Sequence, residues 1–377
     1  MPKVNYKIFD NINKIDKKDW DNVFGDIPES YPFYKTLGDS ELPEFTFFYL
    51  VIYRDGQIVL IAPFFSTDFN LDIAVEGWVS KVIKFIRNFF LRFLVLKTLF
   101  CGTPFGEYGV LGIRQDCQGD PSLIPLLLAG TKDLAVKINA PLIIFKDFLK
   151  QSTLFLDALT QQGYSKVESF PTVLLNLNFV SFEDYLKSLG SSTRKSFKKK
   201  LKQAQIRGKI EVKSVQEIEG QVDQIVKLYE NTYREGLTKF ERLTKKFFLQ
   251  VAHDLYPHTH FFLYYVDGKL AAFNLCFVYP DLLIDKFIGL DYDISNYFNL
   301  YFVSWAFNIR WCIDNSLHCY HPGQTDYEPK IRLGGQLIPL YAYLKHKNIL
   351  FNFLLKLLIP FLKPDSYDKD IRKQKHV

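Results

Sequence analysis

Several chemistries are closed to this sequence by what it does not contain. No stretch reaches the ~18 uninterrupted apolar residues of a membrane span, so no transmembrane helix is expected. The amino terminus, MPKVNYKIFD, has no apolar core of the kind that marks a secretory leader, and a cytoplasmic location is expected. Methionine is nearly absent, with one residue. The five cysteines, Cys101, Cys117, Cys276, Cys312 and Cys319, form no CxxC pair and share no ligand spacing with histidine. Buried free thiols of a reducing compartment are the expectation. There is no Gly-x-Ser-x-Gly elbow, no Walker loop and no His-Glu-x-x-His, which sets aside the chemistries those motifs carry. His253, His258 and His260 gather around Pro257, yet no acidic or cysteine ligand stands in register, so no metal is expected. A net charge of +6 over 377 residues does not by itself argue for nucleic acid, and no DNA partner is expected.

What is there is a large apolar inventory. Hydrophobic residues make up 48% of the chain and phenylalanine alone contributes 36, enough for two sizeable cores. Two β-rich runs, 45–54 and 57–65, meet at Asp55–Gly56, and two more, 260–266 and 269–278, meet at Asp267–Gly268. Asp-Gly between such runs is a strong hairpin signal. Each hairpin is followed by more strand, a helix and another strand. The first series runs through 97–100, 110–113, a helix near 121–138 and a strand at 142–145; the second runs through 282–289, a helix near 297–315, and strands at 317–320 and 336–344. An internal duplication is the economical reading. The expected fold is α+β in two tandem halves, each a mixed, mostly antiparallel sheet flanked by helices. The expected boundaries are 1–175, 176–347 and a tail at 348–377.

Three segments carry charge in a pattern. Ser181 or Ser191 suits a helix N-cap, and the following stretch places Arg194, Lys195, Lys198, Lys199, Lys200 and Lys202 around a narrow Phe197–Leu201 stripe. That is either a solvated basic face or a cationic wall for phosphates. Segments 82–99 and 348–363 are amphipathic and basic, and suit either a helix lying in a bilayer interface or packing on the protein's own core. The charged tail from Pro364 onward is expected to be disordered.

The densest concentration of reactive groups is His321–Gly335, HPGQTDYEPKIRLGG, between a helical segment and an apolar strand. Polar turns at such places commonly rim a site. If the loop is extended, Asp326 and Glu328 share a face. Glu328, Asp326 and His321 are candidate bases, the carboxylates otherwise pairing with Lys330 or Arg332. Lys330 and Arg332 suit a phosphate or carboxylate, with Gln324 and Tyr327 beside them. Tyr297 and Tyr301, four apart, share one helix face that lines either core or site; Tyr297 is the candidate hydroxyl donor. Arg194 and Lys195 on the basic helix, and Glu107 and Tyr108 in the first half, complete the substrate-binding candidates.

The order of these features, from about 45 to 345, resembles the Fem-like, peptidoglycan biosynthesis/recognition branch of the GNAT acyltransferase superfamily. The resemblance rests on GQIVLIAPFF, CGTPFGEYGVL and LGSSTRKSFKKKLKQA, and most of all on the stretch from FIGLDYDISNYF to EPKIRLGG. It implies two GNAT-like domains in tandem, and transfer of an acyl group from an acyl-CoA donor to an amine. Ordinary GNAT enzymes hold the donor pyrophosphate at a glycine-rich helix start. Here the corresponding link, LDYDISNYFNL at 290–300, has no glycine, and places Tyr297 and Phe298 where backbone must approach phosphate. Fem-like enzymes depart there too, and some take aminoacyl-tRNA. The alternatives that follow are an aminoacyl-tRNA-dependent transferase, or a catalytically silent module that docks on membranes.

Overall fold

The computed structural model describes residues 3–70, 95–236, 240–359 and Ile371. They form two compact units. The first comprises Met1–Gly38, Pro43–Pro171 and Pro339–Val377; the second comprises Asp39–Leu42 and Thr172–Ile338.

The first unit opens with β1 (Val4–Phe9), α1 (Lys17–Phe24) and α2 (Tyr31–Asp39). A hairpin follows, β2 (Thr46–Arg54) and β3 (Gln57–Asn70), and then β4 (Val95–Cys101), the short β5 (Gly112–Ile113), α3 (Leu123–Lys137), β6 (Leu142–Leu149) and α4 (Lys150–Leu156). Strand β7 (Ser165–Asn176) begins in this unit and ends in the second. The second unit continues with α5 (Phe182–Ser188), α6 (Ser191–Arg207), β8 (Ile210–Val215), α7 (Val222–Glu235) and α8 (Lys245–Asp254). Then come β9 (Thr259–Val266), β10 (Lys269–Tyr279), β11 (Leu282–Leu290), α9 (Tyr292–Phe298), α10 (Leu300–Asp314), β12 (Cys319–His321) and α11 (Tyr327–Arg332). Strand β13 (Gln336–His346) leads back to the first unit, where α12 (Ile349–Leu358) follows it.

The duplication is real. In the first unit the sheet order is β1-β2-β3-β4-β6; in the second it is β8-β9-β10-β11-β12. Within each set neighbours pair antiparallel, except the last pair, β4 with β6 and β11 with β12, which is parallel and bridged by α3 in the first unit and by α9 and α10 in the second. The final strand is exchanged: β13 closes the first sheet antiparallel to β6, and the end of β7 closes the second antiparallel to β12.

Both hairpins turn at Asp-Gly with two left-handed residues, Asp55 and Gly56 at φ 51° and 82°, Asp267 and Gly268 at 48° and 84°. That is the signature of a type I′ turn, whose twist matches the flanking strands. The turns share a further device. Asp55 exchanges hydrogen bonds with the Lys3 backbone through both its N–H and its side chain, and Asp267 does the same with Lys209. Each aspartate thereby ties the outermost strand to the hairpin.

Each unit has its own core, built on the strand faces that meet the helices. All five cysteines are free, four of them buried. Burial pushes the Cys101, Cys276 and Cys312 thiols up, which leaves them unreactive. Two expectations need correction. Residues 95–99, read as the end of an amphipathic helix with 97–100 also read as strand, are strand β4, buried from Thr98 onward on both faces; residues 82–94 lie outside the described residues, as does the tail from Pro364 apart from Ile371. The 321–335 loop is not extended: Tyr327–Arg332 forms α11. Proline at 329 sits within the first turn, where its missing N–H costs nothing.

Candidate active site

The chemistry of the second unit collects where β11 and β12 part. Their parallel pairing covers only Leu282–Ile284 against Cys319–His321. Beyond it β12 ends in a Pro-Gly turn, while β11 continues alone on that side. A bulge falls at Lys286, between the pairs Leu275/Phe287 and Cys276/Asp285. Such bulges re-aim neighbouring side chains.

Asp285, next to the bulge, is the hub of a polar network inside an otherwise apolar core. Asn274 Nδ2 donates to its Oδ1 at 2.8 Å, and Asn308 Nδ2 and the Tyr320 hydroxyl donate to its Oδ2 at 3.0 and 2.9 Å. Asn274 and Asn308 are fully buried. The Tyr264 hydroxyl reaches Asn308 Oδ1 at 3.5 Å. Burial, followed by the neighbouring Asp285 charge, pushes the Tyr320 hydroxyl well above its ordinary value.

Tyr301, in the first turn of α10, lies beside this network. Its hydroxyl is shut off from solvent and has no hydrogen-bond partner among the described residues. Its proton is held far more tightly than an ordinary phenol's, first by burial and then by the charges of Asp326 and Asp285. A buried hydroxyl without a partner costs about 1–3 kcal/mol, and the charges of Asp326 and Asp285 both act on this one. Asp326 also acts on Tyr292, at the start of α9. Asp326 is exposed, and both it and Thr325 are left-handed, at φ 47° and 64°. A β-branched residue in that region is strained by about 1–3 kcal/mol, a feature that concentrates at functional loops.

Two side chains hold the loop in place. His321 is buried; its Nδ1 accepts from the Gly323 N–H at 3.3 Å and its Nε2 lies 3.0 Å from Thr172 Oγ1. The first bond assigns the proton of a neutral ring to Nε2. Lys330 is buried and donates to the carbonyls of Gly323 and Gln324 at 3.2 and 2.8 Å. Both residues clamp the turn. Glu328 pairs with Arg332 at 2.9 Å, one helical turn apart, both half exposed. Helical geometry therefore parts Glu328 from Asp326, which an extended loop would have kept on one face. Tyr327 is buried.

The basic helix α6 comes to the same place. It buries Phe197 of the expected stripe together with Ala204, while Leu201 is only partly buried. Lys200 lies over the Phe302 ring at 3.3 Å, and its amine is shifted down by burial and then by the positive charge of Arg332. Arg194 donates to the carbonyls of Lys187 and Leu189, and Lys198 pairs with Glu183. Lys195, Lys199 and Lys202 are exposed, with no acidic partner among the described residues. Spaced by four and three, they form one stripe. Tyr297 is half exposed on α9, with the Arg207 guanidinium 4.5 Å over its ring. Glu107, buried, and Tyr108 belong to the first unit.

The sequence reading missed Asp285, Asn274 and Asn308, and weighed Tyr301 only as a neighbour of Tyr297. The signal was present: LIDKFI, AFNLC and AFNIR set Asp285, Asn274 and Asn308 among apolar residues, and buried polar groups need partners.

The link after β11 is α9. Its start is capped by Asp291, which accepts from the Ile294 N–H and pairs with Lys269, and Asp293 follows in the first turn. A helix N-terminus already occupied by its own carboxylates repels a phosphate. Among the described residues no group of His, Cys, Asp and Glu is arranged to hold a metal ion.

No curated protein matches the chain in sequence. Among solved structures, FemX superposes with a TM-score of 0.56 over 93% of this chain and 100% of its own, at 12% identity. The C-terminal domain (DUF2156) of a putative lysylphosphatidylglycerol synthetase from Agrobacterium fabrum gives 0.53 over 94% and 98%, at 12% identity. A tandem GNAT protein from the clavulanic acid biosynthesis pathway gives 0.52 over 92% and 99%, at 10%. At such identities these similarities establish the fold, two GNAT-like repeats in tandem. The FemAB-like sequence profile, described as peptidoglycan biosynthesis/recognition, matches residues 112–343, more than half of the chain. The chain therefore belongs to the FemAB-like family and is a transferase of the acyltransferase type.

Proposed function

We propose that the protein transfers an aminoacyl group from a tRNA ester to an amine of a peptidoglycan-type precursor, with the reacting atoms beside Tyr301 and Asp326. The observation that carries this reading is the buried Tyr301 hydroxyl, without a partner among the described residues and acted on by the charges of Asp326 and Asp285. The acceptor nitrogen attacks the ester carbonyl, the C–N bond forms and the C–O bond to the ribose breaks. Asp326, exposed on its strained turn, takes the proton the amine loses and returns it to the departing ribose oxygen. Tyr301 donates to the carbonyl oxygen as it gains charge, a contact stronger in the transition state than in the ground state. The Asp285 network and the clamps at His321 and Lys330 hold the strand, helix and turn that carry these groups.

The donor assignment rests on charge. The acidic cap of α9 disfavours a pyrophosphate there, which counts against the acyl-CoA donor placed first on sequence grounds. The Lys195, Lys199 and Lys202 stripe, with Lys200 and Arg332 near it, suits a polyanion. We also take the reaction to run at a membrane surface, on the strength of the apolar helix α12; no described helix is long and apolar enough to cross a membrane.

The test is a transfer assay with charged tRNAs and precursor amines, run beside a panel of acyl-CoAs and amines followed by free thiol. Transfer from charged tRNA, with binding that weakens steeply with salt, is the expected result. Thiol release from an acyl-CoA with no use of tRNA would return the donor to CoA.

A further inference from the structure

A surface helix ordinarily turns its apolar residues inward and leaves polar ones outside. In the first unit α12 carries apolar residues on its exposed faces as well, and its inner side, with Leu355, is fixed by an asparagine. Asn352 anchors it: Nδ2 donates to the Gly163 carbonyl at 3.1 Å and Oδ1 accepts from the His346 N–H at 2.8 Å. Asn348 caps its start, accepting from the N–H groups of Leu350 and Phe351. Outward, Ile349, Leu350, Phe351, Phe353 and Leu357 are each more than half exposed, and Leu354 nearly so. Contiguous apolar surface of this kind marks an interaction site.

Cations ring its base. Lys345 and Lys347 precede the helix, Lys356 lies on it, and Lys132 comes from α3. Lys345 donates to the Gln162 carbonyl at 2.7 Å, and Lys347 reaches Asn139 Oδ1 at 3.3 Å. The Lys345 amine is shifted down by burial, and then by the positive charges of Lys132 and Lys356. None of the four meets a carboxylate among the described residues. Apolar side chains projecting beyond a cluster of unneutralised lysines complement an anionic bilayer in both of its layers: the side chains suit the acyl boundary, and the amines suit the phosphates. An uncharged apolar partner would leave the lysines repelling one another.

We propose that α12 seats in the interface of an anionic phospholipid bilayer, with Lys132, Lys345, Lys347 and Lys356 at the level of its phosphates. This deepens the membrane reading given above and is independent of the transfer chemistry.

The experiment is co-sedimentation of the full-length protein with vesicles of phosphatidylcholine alone, and of phosphatidylcholine mixed with phosphatidylglycerol. Binding to the mixed vesicles, lost at high salt and much weaker on phosphatidylcholine, is expected. Leu350→Ser, Phe353→Ser and Leu354→Ser together should lower the partition coefficient at least about tenfold. Lys132→Gln and Lys347→Gln should each lower it about fivefold. All these side chains are exposed, so the urea midpoint should not move; the lysine variants decide the matter if the triple variant unfolds. Failure to sediment with mixed vesicles overturns the proposal. So does a wild-type dimer in solution that the triple variant converts to monomer, since the helix face would then belong to a second copy. Loss of transfer in Tyr301→Phe bears on the reaction alone, and vesicle binding by that variant should equal wild type.

Discussion

A phenol held out of water with no partner among the described residues is a standing cost, and Tyr301 carries that cost at a place where two carboxylates act on it. Tyr301→Phe removes the cost, so its unfolding free energy should stay within about 1 kcal/mol of wild type or rise. Its transfer rate should fall by about 10²–10³, the usual loss for one oxyanion donor. Urea denaturation and single-turnover assays read the two separately. Asp285→Ala should act the other way round. It strands the donors of Asn274, Asn308 and Tyr320, and should cost about 2–4 kcal/mol of stability. This scale was only partly legible in the sequence. The 321–335 stretch announced itself by composition, and Asp326 was singled out there as one of three candidate bases. Helix α11 then turned Glu328 toward Arg332, one turn on, because the six residues from Tyr327 coil rather than extend. Asp285 went unread because a single carboxylate in an apolar strand has a meaning only once its partners from β10, α10 and β12 are placed around it.

Among the elements, the two hairpins were read from four residues. Asp-Gly needs two left-handed positions, and the structure uses both in each turn. What sequence could not supply was the bond from each aspartate to the preceding outer strand, since that partner lies more than fifty residues away. Asp267→Ala should therefore cost about 1 kcal/mol beyond a turn substitution that keeps an acceptor, such as Asp267→Asn. Paired urea melts of the two variants measure the difference. A second element-scale link is Arg54 of β2 with Asp120 before α3. Arg54 Nη2 meets Asp120 Oδ2 at 2.5 Å, and the Ser122 N–H donates to Oδ1 at 2.9 Å. Hydrogen bonds from Arg54, and then from Ser122, hold the Asp120 carboxyl at about 2, below its ordinary 3.8. A carboxyl depressed on folding gives stability that is full above the unfolded value and is lost as pH falls through the folded one. Its contribution should thus be complete above about pH 4 and vanish by about pH 2. In Arg54→Gln the acid limb of the stability profile should lose that slope between those values.

The whole molecule is two copies of one plan that trade their last strand. Each repeat supplies an outer strand, two helices, a hairpin and a helix-bridged parallel pair, and the closing strand of each sheet comes from the other repeat's sequence. The duplication was visible because hairpin punctuation and strand-helix order survive divergence. The exchange was not, because β7 was not singled out as a strand, β13 read as an ordinary one, and nothing in a strand's own residues names its neighbour. A cut at the apparent boundary should then fail. The fragment 1–175 lacks β13, and β6 would be left as an open, apolar edge. It should aggregate or remain poorly folded. Adding a peptide of residues 336–346 should recover dispersed amide resonances, whereas a fragment that folds unaided would show the exchange to be dispensable. The polyanion reading belongs to this scale too. Replacing Lys195, Lys199 and Lys202 by Gln should reduce the slope of log affinity for tRNA against log salt by about 0.7–0.9 per lysine, while leaving folding unchanged at three exposed positions.

The central claim, that acyl transfer occurs against Tyr301 and Asp326, is tested most directly by single-turnover transfer from charged tRNA to a precursor amine. Wild type, Tyr301→Phe and Asp326→Asn should be followed side by side at saturating donor. The account predicts that both variants bind charged tRNA as wild type does and transfer at least about a hundredfold more slowly. Wild-type transfer rates in both would contradict it.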